Sequence, residues 1–420
     1  MKLIQISMDS HRKSLTFFLY YGDVTEGIFE SQVHYHIEMI TQKGIVCILL
    51  ALVPVKFIIW RLMPTIRTLK KVRRHGIRIL ILPTFNPMRP QGKLLHFIYA
   101  YLFSLFIRIC NSISLAIIIH ARGMFCAHLA QKIKSFGVAF RFIFDMRADE
   151  VSELVFRLES LKKNANVVHR LSKTALEMQI DAIRHANVLL MVSQKLRSHV
   201  EKYLSLHNSR TFIIPSLARS DIFRYDSSRR DYMRSRLGLK DKLVLGYSGS
   251  VSPWQKVDRV MDILNGIRSR GLDAVLLLLT RETLLARGLA EEKGCEAFTW
   301  VMDCDYSQLG DYIMSFDMGF LLRERLQLNH VASPTKFAEY MLCGVPAFIS
   351  SGIGDIDDIV RSHNVGVLVQ NIADEDEIAH ATDQFLKTGF DRKAISEFGL
   401  ALYARESYLS LYEKIYGSSW

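Results

Sequence analysis

The segment Leu321–Ser350, LLRERLQLNHVASPTKFAEYMLCGVPAFIS, contains the pattern that decides the fold. It predicts a buried strand ending at Leu322, then a polar loop, a helix and a second buried strand. Ser333 is the predicted N-cap of the helix, and Pro334 suits its first turn. Gly344, followed two residues later by a proline, ends it. A strand–helix–strand unit of this kind is typical of a parallel α/β sheet.

The loop and the start of this helix bring several polar side chains together: Arg323, Glu324, Thr335, Lys336 and Glu339. Free N–H groups at a helix start, beside a lysine and an arginine, form a site for a phosphate or diphosphate. The carboxylate on the first turns of the helix is placed to accept two hydrogen bonds from a ribose diol. The alternative is an ordinary crossover helix with solvated charges, and the spacing alone does not separate the two.

Within this segment, SPTKFAEYMLCGVPAFIS resembles the nucleotide-sugar signature of group 1, family 4-like retaining glycosyltransferases, many of which build bacterial surface polysaccharides. The resemblance implies an α/β protein with the GT-B fold. Such a protein has two doubly wound, Rossmann-like parallel-sheet domains facing a cleft, and a C-terminal helix that crosses back. Relatives often have an acidic residue eight positions before the ribose-binding glutamate, where this chain has Val331. Glu324 is a candidate to replace it at the donor sugar.

The size and composition of the chain are those of a globular protein. Its 420 residues predict two or three domains, with 49% hydrophobic and 23% charged residues. The six cysteines have no CxxC spacing, which predicts reduced thiols in the cytoplasm and neither a disulfide framework nor a zinc site. The first residues, MKLIQISMDSHRKS, lack the apolar core of a secretory signal peptide.

Charge is distributed unevenly along the sequence. Residues 1–220 carry 31 Lys and Arg against 13 Asp and Glu, whereas residues 221–420 carry 23 against 29. No acidic residue occurs from Met39 to Phe144, although 16 Lys and Arg do. This imbalance predicts a polyanionic partner or an anionic bilayer. Nucleic acid is the competing partner, but no recognition motif is present and the basic residues alternate with aliphatic runs. We therefore expect peripheral attachment to the inner face of a membrane.

Two apolar segments resemble membrane spans. Ile45–Trp60 is short and contains a proline and a lysine, and Leu94–Ile119 has an arginine and an asparagine in its middle. A monotopic docking face is the favoured interpretation. Its predicted members are Trp60, Phe97, Tyr99, Tyr101 and Phe103, with Lys70, Lys71, Arg73 and Arg74. The alternative is that these aromatic side chains fill the core.

Apolar runs alternate with helical patterns along the whole chain, which predicts two parallel sheets. The predicted strands are Thr16–Gly22, Gly44–Pro54, Ile77–Pro83, Ser114–Gly123, Val138–Arg147, Asn187–Ser193 and Thr211–Ser216, then Lys242–Gly249, Asp273–Thr280, Phe298–Cys304, Met318–Glu324, Val345–Ser350 and Val365–Gln370. The predicted domains are 1–218 on the acceptor side facing the membrane, 219–400 for the nucleotide sugar, and 401–420 as the helix that packs back on the first domain.

A second candidate donor element follows the first strand of the second half, in GYSGSVSPWQK. Gly249 and Ser250 allow the backbone to approach a ligand, and Lys256 is a candidate phosphate contact. A plain tight turn is the alternative. Relatives often have arginine where this chain has Ser250, so the resemblance implies that Lys256 and the two cations of the first segment neutralise the diphosphate.

Candidate residues in the first half lie at strand ends. His120 ends a strand, where relatives place a histidine near the donor sugar, and a structural histidine is an equal alternative. Arg122 is a candidate contact for an anionic acceptor or donor. Asp145 and Arg147 belong to a D-x-R-x-x-E pattern that ends at Glu150 and resembles one in the relatives, although a strand-end ion pair is the favoured interpretation.

Three further acceptor-side candidates, Asp23, Glu26 and Ser31, lie in or just after the loop that follows the first strand. No cluster of His, Cys and carboxylates has metal-ligand spacing, so we predict no metal and no cofactor beyond the donor.

Taken with the resemblance, these residues predict a metal-independent, hexosyltransferase-like glycosyltransferase. It would move a sugar from a nucleotide diphosphate to a lipid-linked or polysaccharide acceptor, with retention. His120 and Glu324 are predicted to hold the donor sugar, and Arg323 to stabilise the leaving group. The alternatives are a nucleotide-sugar epimerase of the same fold and a non-catalytic adaptor at the membrane surface.

Overall fold

The computed structural model describes residues 14–27, 29–202, 204 and 210–417. The prediction made from the first thirteen residues lies outside this range. The chain forms two compact units. Unit 1 comprises Met1–Val192, Leu196–Ile214 and Tyr408–Trp420, and unit 2 comprises Ser193–Lys195 and Pro215–Ser407. The boundary therefore lies at Pro215, and the last helix belongs to unit 1.

Unit 1 is built on a seven-stranded parallel sheet with the order β3-β2-β1-β4-β5-β6-β7. Its strands are β1 Ser14–Tyr21, β2 Cys47–Pro54, β3 Arg78–Thr84, β4 Ala116–Arg122, β5 Arg141–Met146, β6 Val188–Met191 and β7 Arg210–Ile213. Phe18, Leu49, Ile119 and Phe142 are fully buried, as expected for strands covered on both faces. The strand order reverses between β1 and β4, which makes their carboxyl ends the switch point of this sheet.

The helices of unit 1 connect these strands. They are α1 Tyr35–Gln42, α2 Val55–Trp60, α3 Leu62–Arg74, α4 Pro90–Ser112, α5 Met124–Ser135, α6 Glu150–Ser160, α7 Ala165–His185, α8 Gln194–Glu201 (its first two residues group with unit 2) and α18 Leu409–Tyr416. A π-helical stretch, Phe29–His34, precedes α1. The basic stretch between β2 and β3 forms two helices, α2 and α3, separated at Arg61, whose guanidinium reaches the Asp23 carboxylate at 2.6 Å.

Unit 2 is built on a six-stranded parallel sheet with the order β10-β9-β8-β11-β12-β13. Its strands are β8 Leu243–Ser248, β9 Ala274–Leu279, β10 Thr299–Met302, β11 Met318–Leu321, β12 Ala347–Ser350 and β13 Gly366–Val369. Its helices are α9 Ser227–Arg236, α10 Val257–Ser269, α11 Thr283–Glu292, α12 Leu309–Met314, α13 Gln327–His330, α14 Thr335–Leu342, α15 Ile356–Ser362, α16 Glu375–Lys387 and α17 Arg392–Tyr403. Short 3₁₀ turns cover Pro253–Gln255, Glu296–Phe298 and Arg405–Tyr408. The switch point lies between β8 and β11.

The prediction of two doubly wound parallel sheets is confirmed, and each predicted strand is present. Most are shorter than predicted because apolar residues next to a strand are also buried in the loops. Val345, for example, is fully buried although β12 begins at Ala347.

All six cysteines are unpaired, and five of them are buried. Among the described residues, α4 is the helix whose length and composition would allow it to cross a membrane, with only 28% of its most apolar window buried.

Candidate functional site

The switch point of unit 2 brings the loop after β8 against the start of α14. Gly249 has φ +127°, and a Cβ at this position would lie 2.5 Å from Cε of Lys336. A side chain here would displace the lysine, so glycine is required both by the backbone conformation and by the close approach. The two segments that the sequence singled out separately therefore meet in one place.

Lys336, the second residue of α14, is held by neutral partners. Its Nζ donates hydrogen bonds to the Tyr247 hydroxyl at 2.6 Å and to Oε1 of Gln255 at 2.9 Å. Enclosure by the protein lowers the pKa of this ammonium well below its usual value, and the positive charge of Arg323 lowers it further. An ammonium group whose hydrogen-bond partners are neutral, and which lies near another positive charge, would be stabilised by a bound anion.

Arg323, just beyond the end of β11, contributes the second cation. Its guanidinium is largely buried, donates to Oδ1 of Asn329 at 3.1 Å and lies 4.9 Å from the ring centroid of Trp254. Asn329 in turn donates from Nδ2 to the carbonyl of Glu324 at 2.8 Å, which fixes the loop after β11. The amide of Asn329 and the ring of Trp254 are thus two of the groups that orient the arginine.

The third cation, Lys256, forms an ion pair with Glu324. Lys256 precedes α10 and has a left-handed backbone, with φ +49°. Three consecutive residues of this turn therefore each contact one predicted site residue, because Trp254 meets Arg323, Gln255 meets Lys336 and Lys256 meets Glu324.

Glu339 lies one turn after Lys336 on α14 and is almost fully buried. Burial raises the pKa of its carboxyl group to about 8, and Lys336 opposes this rise. Within the described part of the chain, no hydrogen bond or ion pair to this carboxylate is found. A buried acceptor of this kind is open to hydroxyl donors from a ligand.

The helix start differs from the prediction in one respect. The α14 helix begins at Thr335, Pro334 occupies the capping position, and no side chain caps the helix. Ser333 is therefore not the N-cap. Its Oγ accepts a hydrogen bond from the Ser216 backbone N–H at 2.9 Å instead. Ser250 lies in the loop facing Lys336, where its carbonyl accepts from the Tyr247 hydroxyl at 2.5 Å.

Sequence reasoning missed four residues that orient the cations: Tyr247, Trp254, Gln255 and Asn329. Two of them, Trp254 and Gln255, stand directly before the predicted Lys256, and this adjacency was the available signal. Tyr247 lies on a strand, where its ring fits the apolar pattern and its hydroxyl gives no separate indication.

In unit 1, His120 at the end of β4 is completely buried. Its Nδ1 lies 2.5 Å from the Tyr416 hydroxyl of α18, which is also 3.2 Å from Nε2 of His36. The His120 ring stacks on Phe18 at a centroid distance of 4.3 Å. Burial lowers the pKa of this histidine, and Asp145 opposes the shift. Its Nδ1 is therefore hydrogen-bonded, whereas its buried Nε2 lies 3.4 Å from the Asp145 carboxylate and has no hydrogen-bond partner among the described residues. The role of this histidine at a donor sugar remains a prediction.

Asp145 forms the centre of a buried charge cluster. Its carboxylate lies 3.0 Å from Nη1 of Arg122, 3.5 Å from Nη1 of Arg147 and 3.4 Å from Nε2 of His120. Burial would raise the pKa of this carboxyl group, but Arg147 and Arg122 hold it well below its usual range. The strand-end ion pair, which is the favoured interpretation of these residues, is therefore present. Nearby, the partly buried Glu150 accepts from the Met124 N–H at 2.9 and 2.8 Å at the start of α5.

The three candidate residues that follow β1 have different local environments. Asp23 is buried, accepts from the Thr25 N–H at 2.8 Å and pairs with Arg61. Burial, with the charge of Asp23, raises the pKa of Glu26. The Ser31 hydroxyl donates to the carbonyl of Gly27 at 2.9 Å. Among the described residues, no group of three or more His, Cys, Asp or Glu could hold a metal ion.

Comparison with solved structures covers nearly the whole chain. HepE from Anabaena, in complex with UDP and glucose, matches with a TM-score of 0.67 at 14% identity over 97% of this chain and 100% of that one. Sucrose-phosphate synthase from Thermosynechococcus elongatus matches with a TM-score of 0.70 at 15% identity, covering 97% and 100%. WaaG, a glycosyltransferase of lipopolysaccharide biosynthesis, matches with a TM-score of 0.63 at 12% identity, covering 96% and 100%.

The chain has the GT-B fold. This confirms the fold expected from the resemblance of Leu321–Ser350, because both GT-B sheets and nearly the full lengths of the relatives are matched. No protein-family model matches the sequence, and no curated protein matches it significantly. At these identities, likeness to GT-B structures establishes architecture, and the chemistry has to be argued from the site.

Proposed function

We propose that the protein is a glycosyltransferase that moves a sugar from a nucleotide-diphosphate donor to a hydroxyl group of a membrane-associated acceptor, either a lipid-linked glycan or a polysaccharide. The donor class is supported by the HepE structures, which contain UDP with glucose, UDP alone and UDP-glucose. The acceptor class is supported by WaaG, which acts in lipopolysaccharide biosynthesis. We propose that the enzyme works in the cytoplasm at the inner face of the membrane.

One observation carries this proposal: two cations and an unpaired buried carboxylate converge at the start of α14. The hydrogen-bond acceptors of Lys336 are neutral groups, so a bound diphosphate would supply a charged partner for this ammonium, and Arg323 adds a second positive charge nearby. Glu339 accepts the ribose hydroxyls, which gives its buried oxygens the partners absent from the described chain. Lys256 adds a third positive charge to the site when a phosphate replaces the Glu324 carboxylate as its ion-pair partner.

In the proposed reaction, the bond between the anomeric carbon and the diphosphate oxygen breaks, and a bond from the acceptor oxygen to that carbon forms. The acceptor proton passes to the departing diphosphate. Lys256, Arg323 and Lys336 stabilise the negative charge that develops on the leaving group, which is the largest catalytic contribution expected of such a site. We propose that the configuration of the sugar is retained and that these side chains take the place of a metal ion.

Binding of the diphosphate is coupled to protonation of Lys336. Its pKa is lowered in the free protein, and the nearby phosphate charge raises it again. Binding should therefore take up a proton at a pH above the lowered pKa, and affinity should fall as the pH rises through that range.

The test is titration calorimetry with UDP on the full chain. Lys336→Met and Glu339→Gln should each weaken binding by about 10- to 100-fold, because each removes a charge-assisted hydrogen bond. Lys393→Met and Glu397→Gln serve as matched controls, because both residues are exposed on α17. Wild-type affinity in both site variants would show that the assignment is wrong.

A non-catalytic adaptor is the second candidate, favoured by Val331. This residue is fully buried and its carbonyl accepts from the Ser193 hydroxyl at 2.7 Å, so it occupies a packing position where relatives often have an acid. Incubation with a panel of nucleotide sugars separates the two candidates. Release of nucleoside diphosphate supports the transferase, and tight binding without release from any donor supports the adaptor.

A further inference from the structure

The outward face of α4 is apolar along most of its length. Its exposed large side chains are Leu94, Phe97, Ile98, Tyr101, Leu102, Leu105, Phe106 and Ile109. They follow the helical repeat and form one continuous stripe on the exposed side of the helix, with Phe106 at its margin because the ring also contacts Phe17 of β1. A helix that is apolar on its exposed side as well as its buried side normally has something covering it.

The helix packs on the sheet along its inner side. Phe103 and Phe106 make edge contacts with Phe17 of β1, with centroid distances of 5.5 and 5.7 Å. Tyr99 donates its hydroxyl hydrogen to the Pro83 carbonyl at 2.6 Å. Phe103 therefore contributes to the core, as the alternative interpretation expected. Because its inner side is occupied, α4 lies against the sheet and does not have the free circumference of a membrane span.

A second exposed apolar surface flanks the same edge of the sheet. The edge strand β3 contacts α2, α3 and α4, and it exposes Leu80. The α2 helix has no buried residue, and its last residue, Trp60, is 77% exposed. Leu62 and Met63, in the first turn of α3, are also exposed.

The last turns of α3 change from apolar to basic on the same outward face. Arg67, Lys70, Arg73 and Arg74 are all exposed. Among the described residues, none of the four has an ion-pair partner, whereas Lys71 pairs with Glu30 at 2.5 Å. The stretch from Met39 to Phe144 contains no acidic residue, so no carboxylate of this stretch compensates the positive charge. Unpaired cations beside exposed aromatic and aliphatic side chains match the chemistry of an anionic lipid headgroup region.

We propose that the exposed faces of α2, α3 and α4 form a monotopic docking surface for an anionic phospholipid bilayer. The α4 stripe inserts its aliphatic side chains to the depth of the upper acyl chains. Trp60 and Tyr101 lie at the headgroup boundary, and the basic end of α3 contacts the lipid phosphates. Of the two exposed charged residues of α4, Lys93 lies in the first turn, at the end of the stripe, and Arg108 does not oppose insertion because its guanidinium turns to the Phe136 carbonyl at 2.7 Å.

The experiment is sedimentation of the full chain with vesicles of phosphatidylcholine, with and without phosphatidylglycerol, at low and high salt. It requires neither donor nor acceptor, so its outcome is independent of the proposed function. Binding should require the anionic lipid and weaken with salt, because exposed charges are screened within about 10 Å at 0.1 M. Lys70→Ala and Arg73→Ala should each weaken binding by about fivefold.

The apolar stripe is tested with the double variant Leu105→Ser, Ile109→Ser. It should reduce vesicle binding by about tenfold or more, since both side chains lose their insertion into the acyl region. The matched control is Leu284→Ser in unit 2, where an equally apolar side chain is 86% exposed. Lys240→Ala, also exposed in unit 2, controls for the loss of charge.

Three outcomes would overturn the proposal. Vesicle binding that depends on neither the lipid charge nor the salt concentration would indicate insertion without contacts between the basic residues and the lipid phosphates. An equal loss of vesicle binding in the Leu284→Ser control would show that the apolar stripe of α4 has no specific role. A concentration-dependent dimer that the double variant dissociates, without vesicle binding by the wild type, would assign the surface to a second copy of the chain.

Discussion

The carboxyl ends of the two parallel sheets both carry arginines and a buried carboxylate, but they differ in how charge is compensated. In unit 1, Asp145 lies within 3.5 Å of two arginines and a histidine, so the charges neutralise one another. In unit 2, Lys336 and Arg323 are held by hydroxyl, amide and aromatic groups, and Glu339 has no described partner. The same position in the same type of sheet therefore gives opposite charges that pair with one another in one unit, and in the other a lysine hydrogen-bonded to neutral groups near a carboxyl group with no ion-pair partner among the described residues.

This difference shows that a charged residue at a strand end does not by itself indicate a ligand. A buried ion pair whose members satisfy each other contributes little net stability, yet removing one member leaves an uncompensated charge. A buried cation with only neutral partners remains available to an anion. Stability measurements should therefore report on the first cluster, and ligand binding on the second.

The largest expected effect is that of Asp145→Asn. The substitution keeps the volume of the side chain but removes the negative charge between Arg122 and Arg147, so the free energy of unfolding should fall by about 3–5 kcal/mol. Urea denaturation measures this change. The control is Asp358→Asn, whose exposed partner Lys195 lies at 3.3 Å and whose loss should change stability by less than about 1 kcal/mol. Equal effects of the two substitutions would contradict the description of a cluster of paired charges.

A smaller effect, with the opposite sign, is expected for Glu339→Gln. Its folded-state pKa of about 8 lies above the usual 4.5, so the folded chain keeps a proton that the unfolded chain releases. Wild-type stability should therefore decrease between these two pH values. The glutamine stays neutral, and the variant should be more stable at pH 8 by roughly 1–3 kcal/mol.

Thermal unfolding at several pH values checks this prediction. At about pH 4.5 and below, the side chain at position 339 is largely uncharged in the wild type and neutral in the variant, so the two proteins should unfold at similar temperatures. A variant that is less stable than the wild type at pH 8 would show that the carboxylate has a partner that stabilises its charged form. If the same variant is more stable but binds UDP more weakly, then Glu339 lowers the stability of the wild-type protein and contributes to ligand binding.

The smallest effect is expected for Glu324→Gln, which removes the ion-pair partner of Lys256. UDP lacks the donor sugar that is transferred, so the effect of this substitution on its binding reports only the competition between this carboxylate and the diphosphate. Affinity should rise by about two- to fivefold at low salt, in line with the modest strength of an exposed pair. The gain should shrink as ionic strength increases. Calorimetry at two salt concentrations, beside Glu397→Gln, measures it, and an unchanged affinity would place Lys256 outside the phosphate site.

Much of the architecture was predictable, because buried parallel strands are continuous apolar runs and the helices between them have a different period. The sequence also identified Lys336 and Arg323, since a lysine after a proline and an arginine after a strand are local patterns. The order of the strands and the meeting of Gly249 with Lys336 depend on topology, which these local patterns do not encode.

The errors and omissions share a physical cause. Ser333 has the residue type of an N-cap, but its hydroxyl is taken by the Ser216 backbone, which is distant in sequence. Trp254, Gln255 and Asn329 orient the cations through loop conformation, and no periodic pattern marks them. The pairing of Asp145 also depends on arginines from separate elements, so the spacing left both interpretations open.

The last helix has a consequence for biosynthesis. Tyr416 covers His120 and His36 in unit 1, although the rest of that unit ends near Ile214. At translation rates of 5–20 residues per second, the intervening chain takes on the order of ten to forty seconds to make. During that interval the nascent first sheet lacks the contacts of Tyr416 with the two histidines, and these contacts form only after α18 has left the ribosome.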